Sequence, residues 1–137
     1  MQSNCLAKFI VCSFILILSL LGNVAFGQMR DTTVKKRLRS PANVKGFVGG
    51  ESHDSYVIHA RKGQRMTIQL SWKREDDNTA EFTVSKGRNF LNAEQVNFGK
   101  SSRGGRVWTG KIPRSQDYYI YVVAHPAAHY HLKVRLR

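Results

Sequence analysis

Apolar and polar residues alternate along short stretches of this chain, most regularly over residues 51–72. Tyr56, Ile58 and Ala60 alternate with Val57 and His59; after Arg61-Lys62-Gly63-Gln64, residues Met66, Ile68, Leu70 and Trp72 alternate with Thr67, Gln69 and Ser71. A period of two sets one face of an extended strand on a core, and the Gly-containing break between the runs predicts a β-hairpin with Gly63 at positive φ. Further strands are predicted at residues 44–48, 80–85, 107–112, 117–124 and 130–137, with a short one at 95–98. Gly49-Gly50, the polar run Lys73-Arg74-Glu75-Asp76-Asp77-Asn78 and Pro113 supply the breaks. No long stretch carries a helical period. Many short strands separated by Gly, Pro and polar turns predict an all-β fold, a single antiparallel β-sandwich of jelly-roll-like kind.

The last strand shows which way its side chains point. Tyr130, Leu132, Val134 and Leu136 fall on one face; His131, Lys133, Arg135 and Arg137 fall on the other, as a basic stripe on an outer sheet surface near an edge. Such a stripe is either an ordinary solvated face or a site for phosphate or carboxylate groups. By the same alternation Trp72, Phe82, Trp108, Tyr119 and Tyr121 are assigned to the core.

Ahead of the sandwich the pattern changes. Lys8, an apolar run over residues 9–21 and the small residues around Ala25-Phe26-Gly27 form a signal peptide, residues 1–27, with an uncleaved anchor as the competing reading. The run is shorter than the roughly 20 residues a membrane helix needs, so cleavage is preferred and no integral membrane segment is expected afterwards. Residues 28–42 then read as a basic arm or edge strand, ended by Ser40-Pro41, and residues 43–137 as the domain. The expected localisation is exported, periplasmic or secreted. Both cysteines, Cys5 and Cys12, lie in the signal, so the 110 residues from Gln28 onward fold without disulfides and without thiol chemistry.

Charge adds a class of partner. The chain has 22 Lys and Arg against 9 Asp and Glu; loss of Lys8 with the signal leaves a balance of +12. A field of that sign attracts anionic envelope polymer, anionic lipid, nucleic acid or an acidic protein cleft. The basic stretch over residues 86–106, with Lys86, Arg88, Arg103 and Arg106 around Phe90 and Phe98, is a second candidate for anionic surfaces beside Lys133, Arg135 and Arg137. Nucleic acid is disfavoured because the chain carries no known nucleic-acid motif.

Catalytic and metal chemistry find little support. Ser52-His53-Asp54-Ser55 holds triad residue types, but neighbours in an extended segment point to alternating sides and do not converge. Glu75, Asp76 and Asp77 share one polar turn, which accounts for them without acid–base chemistry. His125, His129 and His131 suggest a metal site, for which no Cys or carboxylate lies near in sequence, or a surface that gains charge in mild acid; ordinary loop histidines are the simpler reading. No catalytic residue, metal or cofactor is assigned, and a binding module is expected.

Lys45-Gly46, Asp54-Ser55-Tyr56, Ala60-Arg61-Lys62-Gly63-Gln64 and Asp117-Tyr118-Tyr119-Ile120-Tyr121-Val122-Val123 resemble the pattern of exported β-sandwiches related to the bacterial pre-peptidase C-terminal domain. Within that group the chain resembles the periplasmic inhibitors of g-type lysozyme, which share the Asp-x-Tyr and Ala-(Arg/Lys)-Lys-Gly-Gln segments. The resemblance implies a partner, g-type lysozyme, met by loops placed in its cleft. The matching loops are Glu51-Ser52-His53 and the one from His125 and Pro126 to His129. The second is shorter here than in those inhibitors and carries histidines instead of arginines. The alternative is an envelope-associated module that binds anionic polymers or glycans through its basic face.

Overall fold

The structure, a computed structural model, describes residues 35–137. The expected signal segment and the residues of the arm before Lys35 lie outside the described residues. Among the described residues nine strands follow one another: β1 (Lys36–Leu38), β2 (Ala42–Gly49), β3 (Asp54–Ala60), β4 (Arg65–Trp72), β5 (Thr79–Ser85), β6 (Gly99–Ser102), β7 (Val107–Lys111), β8 (Gln116–His125) and β9 (Ala127–Leu136). They form a four-stranded sheet, β1-β3-β8-β5, here the small sheet, and a five-stranded one, β2-β9-β4-β7-β6, the large sheet. The chain changes sheet at every step except the β6–β7 hairpin. All pairings are antiparallel except β1 with β3, so the sandwich departs from the fully antiparallel expectation at one edge.

Residues 51–72 are therefore not a hairpin. β3 pairs with β1 and β8, whereas β4 pairs with β7 and β9 across the sandwich. Alternation specifies which face of each strand is buried, and both strands do face the core; it is silent about which strands exchange hydrogen bonds. The four residues of the link are enough to cross the roughly 10 Å between packed sheets. The link is held by its own bonds: the Arg61 amide donates to Gln64 Oε1 (2.7 Å), and the Gly63 amide to the Ile112 carbonyl (2.8 Å). Gly63 has φ +88°, as its place in the turn predicts.

The core lies between the sheets. Tyr56 and Ile58 of β3, Met66 and Ile68 of β4, Ile120 and Val122 of β8, and Leu132 and Val134 of β9 are almost fully buried. Burying each such side chain contributes about 2 kcal/mol. One polar chain crosses this apolar layer: Tyr130 of β9 is hydrogen-bonded to Asp54 and to Tyr56, both on β3. Gly46 makes room for it, because a Cβ there would occupy the place of the Tyr130 ring. Burial and these bonds raise the Tyr130 hydroxyl far above the ordinary tyrosine range, and burial raises Tyr56 as well.

Two assignments along β6 and β8 need correction. The short strand expected at residues 95–98 is displaced to Gly99–Ser102, leaving only a bridge between Gln95 and Ser85. In β8 the inward residues are Tyr118, Ile120, Val122 and Ala124, so Tyr119 and Tyr121 face outward instead of joining the core. Tyr121 is nonetheless buried, because the segment after β5 folds over the outer face of the small sheet: Phe90 meets the Tyr121 ring edge-on at 5.4 Å, and the Tyr121 hydroxyl donates to the Gly87 carbonyl (2.7 Å). With both faces covered, β8 has no clean alternation to read.

Candidate partner-binding end and cationic face

The β2–β3 turn and the β8–β9 corner, which are far apart in sequence, meet at one end of the sandwich. Gly49 pairs with Ala127, and the Gly50 amide donates to the Pro126 carbonyl (2.8 Å). Ser52 ties the turn down, its hydroxyl donating to the Gly49 carbonyl (2.5 Å), while Glu51 beside it is exposed. The β4–β5 turn joins them: the Asn78 side-chain amide donates to the carbonyls of Lys73 (3.1 Å) and Ala127 (3.3 Å). In that turn Lys73 and Glu75 form an exposed pair (2.5 Å), which pulls the Glu75 carboxyl below its ordinary range.

The segment from His125 to His129 is not a loop. β8 runs to His125 and β9 begins at Ala127, leaving Pro126 alone between them, after a cis peptide bond. His125 is exposed at the end of β8, where it pairs with Thr79. His129 lies within β9 opposite Phe47, with the two rings 4.6 Å apart. His53 leaves the cluster and stacks on Phe90 at 4.2 Å. Glu51, Ser52, His125 and Pro126 are thus brought together at the surface, while His53 and His129 serve neighbouring rings.

The triad types diverge in the folded chain. Ser52 bonds the turn, His53 stacks on Phe90, Asp54 takes Lys35 (2.7 Å) and Tyr130, and Ser55 is buried. Among the described residues no group of three or more His, Cys, Asp or Glu is placed to hold a metal. His131, on the outer face of β9, is hydrogen-bonded to Asn43.

The basic residues separate into two regions. Lys133 and Arg135 project from the outer face of the large sheet and Arg137 follows at its end, with β9 inside the sheet between β2 and β4 and not at the expected edge. Arg103 and Arg106 approach the same surface from the β6–β7 turn; the Arg106 guanidinium lies 4.2 Å above the centre of the Trp72 ring. Lys86 and Arg88 belong to the other side, in the segment covering the small sheet, where Lys86 pairs with Glu94 (3.0 Å). Phe98, expected near them as a possible base platform, packs between Trp108 and Tyr118 at 5.8 Å from each.

Sequence reasoning missed cations on the same surface. Arg65 and Lys111 are opposite one another in the β4–β7 ladder, and the backbones of Arg65 and Arg137 exchange both hydrogen bonds, so three basic residues lie in one row across the sheet. Their outward parity was readable within each strand; that the strands are neighbours was not. Phe47, with 56% of its surface exposed, and Leu91, with 68%, also escaped notice as apolar groups near the binding end and on the covering segment.

No family model matches the sequence, and no curated protein matches it. Solved structures do. PliG from Aeromonas hydrophila, a periplasmic lysozyme inhibitor of g-type lysozyme, superposes with a TM-score of 0.61 at 22% identity, over 77% of this chain and 98% of that one. PliG from Salmonella Typhimurium gives 0.53 at 18% identity over 77% and 100%. The pre-peptidase C-terminal domain of a Bacillus anthracis collagenase gives 0.54 at 18% identity over 75% and 97%. Both groups named by the resemblance of the sequence segments recur among these matches, and at such identities what the chain shares with the g-type lysozyme inhibitors and the pre-peptidase C-terminal domain is their β-sandwich fold.

Proposed function

We propose that this protein is an exported, non-catalytic binding module that inhibits a g-type lysozyme, meeting the enzyme with the end of the sandwich where Glu51 and Ser52 lie beside His125 and Pro126. The observation that carries the reading is this meeting of two segments distant in sequence, tied by the Gly50–Pro126 hydrogen bond, on a fold found in PliG inhibitors. The end is built for contact more than for chemistry: its backbone is pinned by Ser52 and Asn78, so little conformational freedom is lost on docking. Glu51 and His125 are exposed there, and the Ser52 hydroxyl donates to the Gly49 carbonyl of its own turn.

The test is lysis of cell walls by a g-type lysozyme titrated with the purified protein. Stoichiometric inhibition is expected, and a Glu51→Ala, His125→Ala variant should lose it while unfolding at the same denaturant concentration. A folded protein without effect on lysis at large molar excess refutes the inhibitor reading. Full inhibition by the variant refutes this end as the contact.

A further inference from the structure

The strands of the large sheet contain Lys45, Arg65, Lys100, Lys111, Lys133 and Arg135 and not one Asp or Glu. The ladder registers put all of these cations on the outer face, in successive rows: Arg137, Arg65 and Lys111; then Arg135, Thr67, Thr109 and Lys100; then Asn43, Lys133 and Gln69; then Lys45, His131 and Ser71. None of the six strand cations is in an ion pair among the described residues. Like charges directly opposite on adjacent strands destabilise a sheet, and a face kept only for solubility would intersperse acids. The small sheet does this, with Glu81 and Asp117 on its outer face.

The face has shape as well as charge. Two grooves, of about 590 and 360 Å³, lie next to one another along β9 and β4, with Gln69 and Lys133 lining both. Hydroxyl and amide groups of Asn43, Thr67, Gln69 and Thr109 alternate with the cations, the combination that sugar hydroxyls and their acidic substituents would satisfy together. Among the described residues that line the two grooves none is Phe, Tyr or Trp, so no row of rings is offered there to stacked bases.

We infer that the outer face of the large sheet is a binding surface for an anionic polysaccharide, a glycan carrying phosphate or carboxylate groups at regular intervals. It lies apart from the sandwich end assigned to the lysozyme and does not depend on that assignment.

The experiment measures affinity of the purified protein for immobilised polygalacturonate and phosphomannan, with neutral dextran and a single-stranded DNA as comparisons, over a salt series. Both acidic glycans should bind and dextran should not, with affinity falling about tenfold or more between about 50 and 200 mM salt. A Lys133→Gln, Arg135→Gln variant should weaken binding and reduce the salt slope by about two. A charge-matched Lys36→Gln, Arg37→Gln variant, altered on β1 at the edge of the small sheet, should bind as the wild type does. Far-UV circular dichroism verifies each fold, and Arg65→Gln, Lys111→Gln gives a second lesion of the same face. Equal losses in the charge-matched pair would reduce the effect to net charge and overturn the inference. So would absence of glycan binding, or tighter binding to the DNA than to either glycan.

Discussion

Asp117 and Arg135 both point outward from interior strands of their sheets, β8 and β9, yet their surroundings differ in kind. Asp117 takes a two-pronged contact from Arg37 of the edge strand (3.2 and 2.7 Å) and a further one from His59 (3.0 Å). Arg135 has Thr67 opposite and no acid anywhere in its sheet. The same contrast holds across the two surfaces: one is neutralised and partly roofed by the segment after β5, the other is bare and of one sign. Packing selects the inner face of either sheet in the same way, whereas what an outer face carries is left to partners, so the asymmetry between the two points toward the large sheet as the surface kept open for something else.

That contrast breaks most visibly at Tyr121. If the outer face of the small sheet is a second, minor core, Tyr121→Ala should cost about 3 kcal/mol in urea unfolding, as for other aromatic truncations. Tyr121→Phe should cost only about 1 kcal/mol for the lost bond to Gly87. A cost below that for the alanine variant would show the covering segment to be loosely held.

The next effect tests what joins the sheets. Tyr130→Phe leaves Asp54 and Tyr56 without their shared partner and should cost about 2 kcal/mol. It should also change the alkaline limb. The folded-state pKa values of Tyr130 and Tyr56 are raised, so their contribution is whole below the unfolded value of about 10 and is lost as pH climbs above it, when only the unfolded chain ionises. Stability measured from pH 8 to 11 should therefore fall less steeply in the Phe variant, as about one such tyrosine is removed.

The small sheet contributes to the acid limb. Arg37 holds the Asp117 carboxyl below its ordinary range, so this stabilisation is complete above the unfolded value of about 3.9 and disappears as pH drops through the lower folded value. Arg37→Gln should flatten that limb; an unchanged acid profile would mean the pair is too exposed to matter.

The smallest effect is expected on the large sheet and has the opposite sign. Arg65→Thr removes a cation that faces Lys111 and Arg137, so it should leave stability unchanged or raise it by a few tenths of a kcal/mol, more at low salt than at high. A clear loss would mean that unpaired cations brace the sheet, and the contrast between the surfaces would lose its meaning.

Strand positions were largely legible in the sequence because alternation is a local property: β4 and β9 bury Met66, Ile68, Leu70 and Tyr130, Leu132, Val134 on the faces their period of two indicates. Gly63 was legible for the same reason, since a positive φ is a demand on one residue. Where both faces of a strand are covered the signal fades, and Tyr119 and Tyr121 were placed on the wrong side of β8. Of the candidate site, the outward basic residues of β9 could be read directly. The loop expected at His125 to His129 could not, because its ends are taken up by strands that pair with Thr79 and Phe47, residues far off in sequence.

By itself, then, the sequence determined that the chain is built of short amphipathic strands with a cation-rich polar side and no acid within several of them. Tertiary structure alone decided that β3 and β4 lie in opposite sheets, that Glu51 and Pro126 share one end, and that Arg65, Lys111 and Arg137 stand in one row. The reason is that a strand's periodicity is written in its own residues, whereas pairing depends on hydrogen bonds with backbone elsewhere in the chain, which any extended segment can in principle supply.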